Sequence, residues 1–208
     1  MHKFEYRPSN SRSAAKRRLV LGVGVNDADY MIEVRIDGKR LVCPAYRAWK
    51  HILRRCYCKK FLSENKTYIG VKVCDEWLVF SNFKRWYDAN YVDGWQIDKD
   101  ILTDSKVYGP DTCIYVPRWL NNFTEDHRAA RGEFKIGVCR GFNGLGFVAQ
   151  CSNPFKSSAY IGTYSTEEEA HSAWLAKKKE IALILKPKMD EIDERIYPRV
   201  IQIIEELK

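Results

Sequence analysis

The sequence lacks any long hydrophobic run: apolar residues make up 45% of its 208 positions but never exceed a handful in succession. A transmembrane helix needs about 20 consecutive apolar residues, so we expect no membrane-spanning segment. The N-terminal stretch MHKFEYRPSNSRSAAKRR is basic and lacks the apolar core of a secretory signal. We therefore expect a cytoplasmic protein rather than an exported one.

A disulfide framework is also missing. The seven cysteines are odd in number and irregularly spaced, which is typical of free thiols in a reducing compartment. A four-sulfur zinc site built from Cys56, Cys58, Cys74 and Cys113 is an alternative. Structural zinc sites usually present two pairs of cysteines, each about two to four residues apart, whereas Cys56 and Cys58 are separated by one residue. The spacing therefore argues against zinc.

Acidic residues are too few to balance the basic ones. The chain has 35 Lys and Arg against 27 Asp and Glu, which gives a net charge of +8. Residues 1–60 contain 15 basic and five acidic residues and so carry +10, while residues 61–130 carry −3 and residues 131–208 carry +1. A basic segment attached to nearly neutral ones is typical of a protein that binds a polyanion, most often nucleic acid. A cationic surface without a specific partner is the alternative.

The sequence pattern predicts an α+β fold with two modules and no tandem repeat. Twelve Tyr, nine Phe and six Trp supply aromatic surface for a packed core. The predicted order is a flexible basic arm over 1–18, a first module over 19–123, a linker over 124–133, a second module over 134–186 and an amphipathic helix over 187–208.

Turn and cap residues predict the main elements of these modules. Asp37-Gly38 predicts a hairpin, and Pro44 opens a helix that extends to about Lys60. Further predicted elements of the first module are a strand over 68–74, helices over 76–88 and 118–123, and strands over 95–101 and 112–117. The second module is predicted to consist of three short strands and a helix, which Ser165 or Thr166 caps and Pro187 ends. The helix over 187–208 is predicted to break at Pro198.

One stretch of the first module contains a distinctive series of motifs. It runs through Cys74-Asp75-Glu76-Trp77, Gln96-Ile97-Asp98-Lys99-Asp100 and Tyr108-Gly109-Pro110-Asp111-Thr112-Cys113, and ends at Asn121-Asn122. In this order the motifs resemble phage-encoded homing endonucleases of the HNH class. The resemblance implies a ββα-containing module, double-stranded DNA as the partner, a divalent metal ion such as Mg²⁺, and the cytoplasm of a host cell.

The sequence differs from the pattern of that family at the residue that acts as the general base. In the family a His on the first strand activates water, and a metal ion stabilises the charge at the scissile phosphate. Here Lys99 follows Asp98 instead, and a protonated Lys cannot take a proton from water. Thr112 replaces the Asn that fixes the hairpin. The resemblance implies Asp98, Lys99 and Asn121 as catalytic residues and Asp98, Asp100 and Asn122 as metal ligands.

In this arrangement Lys99 would hold a phosphate oxygen. Asp98 and Asp100 are two residues apart on a predicted strand, so they would share one face and one hard cation. The alternative is that both carboxylates are solvated or pair with Lys99 and nearby Arg. None of His51, His127 and His171 lies in the predicted hairpin, so none is placed to replace the missing base.

The second module carries another resemblance. Gly137-Val138, Phe147-Val148-Ala149 and Ile161-Gly162-Thr163-Tyr164, followed by Thr166-Glu167-Glu168-Glu169-Ala170, resemble the Apetala-type (ethylene-response-factor-like) DNA-binding domain. That family places a three-stranded sheet in the major groove, where side chains meet base edges. The alternative is a small α+β fold that binds protein.

Residues of the arm, the first long helix and the second module are the candidates for DNA contact. The predicted nucleic-acid-binding residues are Arg17, Arg18, Arg47, Lys50, Arg54, Arg55, Lys135, Arg140, Asn143, Gln150 and Lys156. Three functions fit the sequence: a non-standard metal-dependent DNA endonuclease, a catalytically inactive DNA-binding regulator, or an inhibitor or accessory factor that binds a host or phage protein.

Overall fold

The computed structural model describes residues 4–126 and 133–207, with all their side chains except those of residues 13, 143 and 157–159. Contacts divide the chain into two compact units. Unit 1 consists of the described residues up to Asp93 together with Asp104–Tyr115, and unit 2 consists of Gly94–Thr103 and the described residues from Val116 onwards. The segment 94–103 and the helix after Val116 thus group with the C-terminal part of the chain. Most of the predicted linker, residues 127–132, lies outside the described residues.

Unit 1 combines short strands with four helices. Its helices are α1 (Ser11–Ala15), α2 (Pro44–Tyr57), α3 (Lys59–Glu64) and α4 (Phe80–Asn90), and its strands are β1 (Glu33–Ile36), β2 (Lys39–Val42), β3 (Lys72–Val73) and β5 (Val107–Tyr108). β1 and β2 form the predicted antiparallel hairpin, with Asp37 and Gly38 both at positive φ as a tight primed turn requires. β3 pairs with β5 in parallel.

The helices of unit 1 depart from the predicted bounds at two points. The chain is extended at Cys58, which separates α2 from α3 within the predicted helix 44–60. It is extended again at Val79, which separates a 3-10 turn, Asp75–Leu78, from α4 within the predicted helix 76–88. Aromatic residues on both sides of the second break enter the core: Trp77, Phe80 and Phe83 are fully buried. Only Lys72–Val73 of the predicted strand 68–74 is a strand.

Unit 2 contains a three-stranded antiparallel sheet packed on a long helix. Its elements are β4 (Gln96–Asp98), α5 (Arg118–Thr124), β7 (Val138–Arg140), β8 (Phe147–Asn153), β9 (Lys156–Tyr164), α6 (Glu167–Asp190) and α7 (Ile196–Glu206). The short strand β6 (Ile114–Val116) begins in unit 1, and its last residue, Val116, belongs to unit 2. The sheet order is β7-β8-β9. Ala149 and Cys151 of β8 and Ala170 and Trp174 of α6 are buried, and α6 packs on β8. The predicted α+β class is confirmed.

α6 begins as predicted but ends later. The Thr166 hydroxyl accepts a hydrogen bond from the Glu169 N–H, and the Glu169 carboxylate accepts one from the Thr166 N–H, which completes a capping box. Pro187 does not end the helix, contrary to the prediction. Its missing N–H costs one helical hydrogen bond, but Leu185 before it and Met189 after it are buried and hold this end of the helix in unit 2.

α7 covers less of the C-terminal segment than predicted, and Pro198 does not break it. Pro198 lies in the first turn of the helix, where backbone N–H groups have no helical partner in any case. Ile196, Val200 and Ile204 are fully buried, and α7 packs on α6. Within the described part of the chain, no helix has the length and apolar character that a membrane span requires.

Candidate nucleic-acid interface

Helix α2 is fixed on unit 1 through one buried face. Trp49, Ile52 and Leu53 are at most 1% exposed, and the Trp49 indole N–H donates a 2.6 Å hydrogen bond to the Trp77 carbonyl. Gly24 lies so close that a Cβ there would stand 2.5 Å from the Leu53 side chain. These contacts orient the helix and leave its opposite side in solvent.

The solvent side of α2 is basic. Arg47, Lys50, His51 and Arg54 are exposed and follow the spacing i, i+3, i+4 and i+7, which places them on one side of the helix. The helix contains no acidic residue, and no ion pair among the described residues includes these four. We call Arg47, Lys50, His51 and Arg54 the basic face. The structure thus brings together three of the residues that the sequence predicts as phosphate contacts.

Aromatic rings contact the last two arginines of α2. The Arg54 guanidinium carbon lies 5.3 Å from the centre of the Phe61 ring, and that of Arg55 lies 5.8 Å from the centre of the Tyr68 ring. The two rings meet edge to face with their centres 5.4 Å apart. Arg55 is half-buried and donates a 3.4 Å hydrogen bond to the Tyr108 hydroxyl. Both guanidiniums are therefore held at the C-terminal end of α2.

The charges of the basic face act on the histidine among them. The pKa of His51 is lowered, chiefly by partial burial and then by the positive charges of Arg55, Arg47, Arg54 and Lys50. The imidazole is therefore less protonated near neutral pH than a free histidine. An anion bound beside it would favour the protonated ring, because opposite charges raise the pKa of a base.

Arg17, one of the predicted DNA contacts, is bound to the backbone of a neighbouring loop. Its guanidinium donates hydrogen bonds to the carbonyls of Asn26, at 3.2 Å, Ala28, and Tyr30, at 3.1 Å. Three carbonyl oxygens accept hydrogen bonds from a group that has five N–H donors, so this part of the predicted flexible arm is tied to the 26–30 loop. The neighbouring Arg18 is exposed.

The predicted catalytic residues of the 98–100 segment use their polar groups locally. Asp98 Oδ1 accepts backbone N–H bonds from Asp100 at 2.7 Å and from Ile101 at 2.8 Å. Burial raises the pKa of the Asp98 carboxyl, although the two N–H donors oppose the rise. Lys99 is only 6% exposed and forms an ion pair with Asp100. Asp98 therefore orders a turn, and Lys99 neutralises the adjacent carboxylate.

The two asparagines of the predicted site lie on α5. Asn121 donates a 2.9 Å hydrogen bond to Gln96 Oε1 on β4, and Asn122 is exposed. Across residues 4–126 and 133–207, no cluster of three or more His, Cys, Asp or Glu side chains is placed to hold a metal ion. The contacts within the 98–100 turn use Oδ1 of Asp98 and Oδ1 of Asp100. Binding of Mg²⁺ by Asp98, Asp100 and Asn122 stays a prediction.

The described side chains on the outer face of the three-stranded sheet carry no charge. Gln150 pairs with Tyr160 in the strand register, both are exposed, and the Tyr160 hydroxyl lies 3.0 Å from the Thr163 hydroxyl. The described side chains that alternate onto this face belong to Cys139, Val148, Gln150, Ser152, Tyr160 and Thr163. Of the residues predicted to read DNA, Gln150 is the one that this register places there.

The cations predicted for this module do not gather on that face. The Lys135 N–H is bonded to Glu167, and its ammonium pairs with Glu168 at 3.4 Å. Arg140 is exposed, but the strand register places its side chain on the same face of the sheet as that of Phe147, opposite to the outer face. Its guanidinium carbon lies 4.6 Å from the centre of the Phe147 ring. Lys156 is exposed at the start of β9. Asn143 lies outside the residues whose side chains are described.

One unusual residue escaped the sequence interpretation. Lys178 of α6 is 8% exposed, with its ammonium 3.8 Å from the centre of the Phe123 ring. Burial lowers the pKa of Lys178 to about 8. The signal was present, because Lys178 follows Trp174 and Ala170 at four-residue steps on the inner side of the helix.

Comparison of the chain with protein-family models, curated proteins and solved structures finds no match. The two family resemblances therefore rest on the quoted motifs alone. The function has to be argued from the side chains that the fold brings together.

Proposed function

We propose that this protein binds double-stranded DNA through the basic face of α2. One observation supports the proposal above the others: three cationic side chains, Arg47, Lys50 and Arg54, share the exposed side of one rigidly held helix with His51. Neither an acidic residue of that helix nor an ion pair among the described residues neutralises them. An anionic partner can therefore meet these charges without first breaking an ion pair.

The dimensions of the basic face suit a nucleic-acid backbone. Residues 47 to 54 span about 10 Å of helix axis at a rise of about 1.5 Å per residue. Double-stranded DNA carries one negative charge per roughly 1.7 Å of its axis, surrounded by condensed counterions. Each Lys or Arg that replaces a counterion releases it, so affinity gained here falls steeply as the salt concentration rises.

Duplex DNA is favoured over other polyanions by the shape of the element. An α-helix fits the major groove, which is about 12 Å wide, and phosphates line both edges of that groove. The net charge of +10 over residues 1–60 extends the attraction beyond α2. Phosphate contacts set affinity and register and carry no sequence information, so the proposal assigns binding without base preference.

Hydrolysis is not part of this proposal. Asp98 already accepts two backbone N–H groups, and Lys99 is buried beside Asp100. The site that the HNH resemblance implies is therefore occupied by contacts that stabilise its own turn. These contacts favour the DNA-binding interpretation over the endonuclease interpretation.

The test is fluorescence anisotropy with a labelled duplex of arbitrary sequence, titrated between about 50 and 200 mM salt. The double variant Arg47→Ala/Lys50→Ala should weaken binding to every duplex and lower the slope of log affinity against log salt by about two. Arg195→Ala is the matched control, because it removes a cation of unit 2 that is paired with Asp193. We expect this control to bind like the wild type.

Two results would contradict the proposal. One is an unchanged salt slope in the double variant, which would place the phosphate contacts elsewhere. The other is the absence of duplex binding near 150 mM salt. That outcome would favour the alternative in which the protein acts on a host or phage protein.

A further inference from the structure

The end of the basic face contains an arginine that an aromatic ring holds in place. The Arg54 guanidinium lies over the Phe61 ring with 5.3 Å between its central carbon and the ring centre. Phe61 is in turn supported edge to face by Tyr68, and it belongs to the short helix α3 that follows the extended residue Cys58. Arg54 is exposed and has no ion pair among the described residues.

We infer that Phe61 is a positioning residue for phosphate binding: it holds the Arg54 guanidinium ready to contact a phosphodiester oxygen. The inference rests on the proposed function and adds a residue with no charge and no polar side-chain atom to the same interface. No feature of Phe61 in the sequence marks it for DNA binding, since an apolar residue in an amphipathic stretch is normally read as core.

The chemistry of the guanidinium makes this arrangement effective. The group stacks through its flat face and donates hydrogen bonds through its edge. A ring within about 6 Å attracts the cation through the face and leaves the edge N–H groups directed outward. A phosphate oxygen can then be bound by a side chain that has already lost much of its rotational freedom, so less entropy is lost on association.

The break at Cys58 is what brings the ring to the arginine. Were α2 continuous through residue 64, Phe61 would follow Arg54 by seven residues along one helix, about 10 Å further along the axis. The extended backbone at Cys58, with φ −82° and ψ 108°, instead turns α3 away from the axis of α2. The same break explains why two helices stand where the sequence predicts one.

The experiment measures duplex affinity and its salt slope for Phe61→Leu, Phe61→Tyr, Arg54→Ala and the double variant Phe61→Leu/Arg54→Ala. Phe61→Leu should bind roughly two- to tenfold more weakly, the effect expected when a side chain must be immobilised on binding. Its salt slope should match the wild type, because no charge is lost. Phe61→Tyr keeps the ring and should keep wild-type affinity. Arg54→Ala should lower the slope by about one.

The double variant separates positioning from a general effect on folding. If Phe61 acts through Arg54, adding Phe61→Leu to Arg54→Ala should weaken binding no further. Two results would overturn the inference and leave the proposed function standing. One is that Phe61→Leu weakens duplex affinity equally in the presence and in the absence of Arg54. The other is that Phe61→Leu binds duplex DNA with wild-type affinity. Failure of the wild type to bind duplex DNA would instead overturn the proposed function, and this inference with it.

Discussion

The indole N–H of Trp49 donates a 2.6 Å hydrogen bond to the backbone carbonyl of Trp77, and both side chains are fully buried. The bond joins α2 to the 3-10 turn that precedes α4. Trp49 also contacts the rings of Tyr46 and Phe80. The basic face on one side of α2 therefore depends on a buried polar contact on the other side.

Replacing Trp49 by Phe should lower the free energy of unfolding by about 1–3 kcal/mol beyond the loss of ring area, because a buried carbonyl loses its donor. Urea denaturation measures the effect. Trp86→Phe is the control for ring area, since Trp86 makes ring contacts with Trp77 and Tyr115. Equal losses in the two variants would contradict the prediction. Because no charge changes, the salt slope of DNA binding should stay constant in the folded variant.

Lys178 predicts an unusual dependence of stability on pH. Its pKa is lowered by burial to about 8, from an ordinary value of 10.5. Between these two values the unfolded chain binds more protons at this position than the folded chain, so the contribution of Lys178 to stability rises with pH through that window. Below pH 8 both states carry the charge, and the folded state bears the full cost of burying it.

The variant Lys178→Met removes the charge and keeps most of the side-chain volume. It should be more stable than the wild type at pH 7, by about 1–3 kcal/mol, after allowing for the lost attraction to the Phe123 ring. The advantage should shrink as the pH rises from 8 to 10.5. Thermal unfolding of both proteins across this range checks the sign, and a difference that does not vary with pH would refute it.

Sequence patterns predicted those elements whose cause is local. The Asp37-Gly38 turn, the start of α2 at Pro44 and the Thr166 cap of α6 each depend on a few neighbouring residues, and all three are confirmed. Pro187 misled the prediction because burial of Leu185 and Met189 outweighs the loss of one hydrogen bond. That burial depends on contacts distant in sequence, which no local rule contains.

In the candidate interface, too, local spacing was enough to predict some features, whereas contacts between residues distant in sequence determine others. The spacing of Arg47, Lys50 and Arg54 was enough to predict a shared face, because helical periodicity alone places them together. The structural role of Arg17 could not be foreseen, because its three carbonyl partners lie in a loop about ten residues away. Lys99 was predicted to hold a phosphate oxygen, and its burial, which depends on the packing of unit 2, could not be read from the local sequence.

The turn at Asp98 gives a matched pair of variants. Asp98→Ala removes the acceptor of two backbone N–H groups and should cost about 1–3 kcal/mol in unfolding free energy. Asp98→Asn keeps the Oδ1 acceptor and removes a charge that burial disfavours, so it should be at least as stable as the wild type at pH 7. Urea denaturation of the two variants measures both effects, and equal destabilisation would contradict the prediction.

The pH dependence of this pair has a definite sign. Because the pKa of Asp98 is raised in the folded protein, its protonated form stabilises the fold at low pH, and that stability is lost as the pH rises from the ordinary value of 3.8 through the raised one. The free energy of unfolding of the wild type, relative to that of Asp98→Asn, should therefore fall as the pH rises across that interval. A difference that does not change with pH would show that the carboxyl group titrates normally.

Supercoiled plasmid distinguishes a binding protein from an endonuclease. We expect the wild type to retard plasmid without nicking it in the presence of Mg²⁺ or Mn²⁺, because Asp98 and Lys99 are engaged in their own turn. Retardation should persist in Asp98→Asn, which keeps that turn, and should weaken in Arg47→Ala/Lys50→Ala. Nicking that requires the metal ion and disappears in Asp98→Asn would overturn this expectation. It would mean that the 98–100 segment rearranges on DNA and frees its carboxylates for the cation.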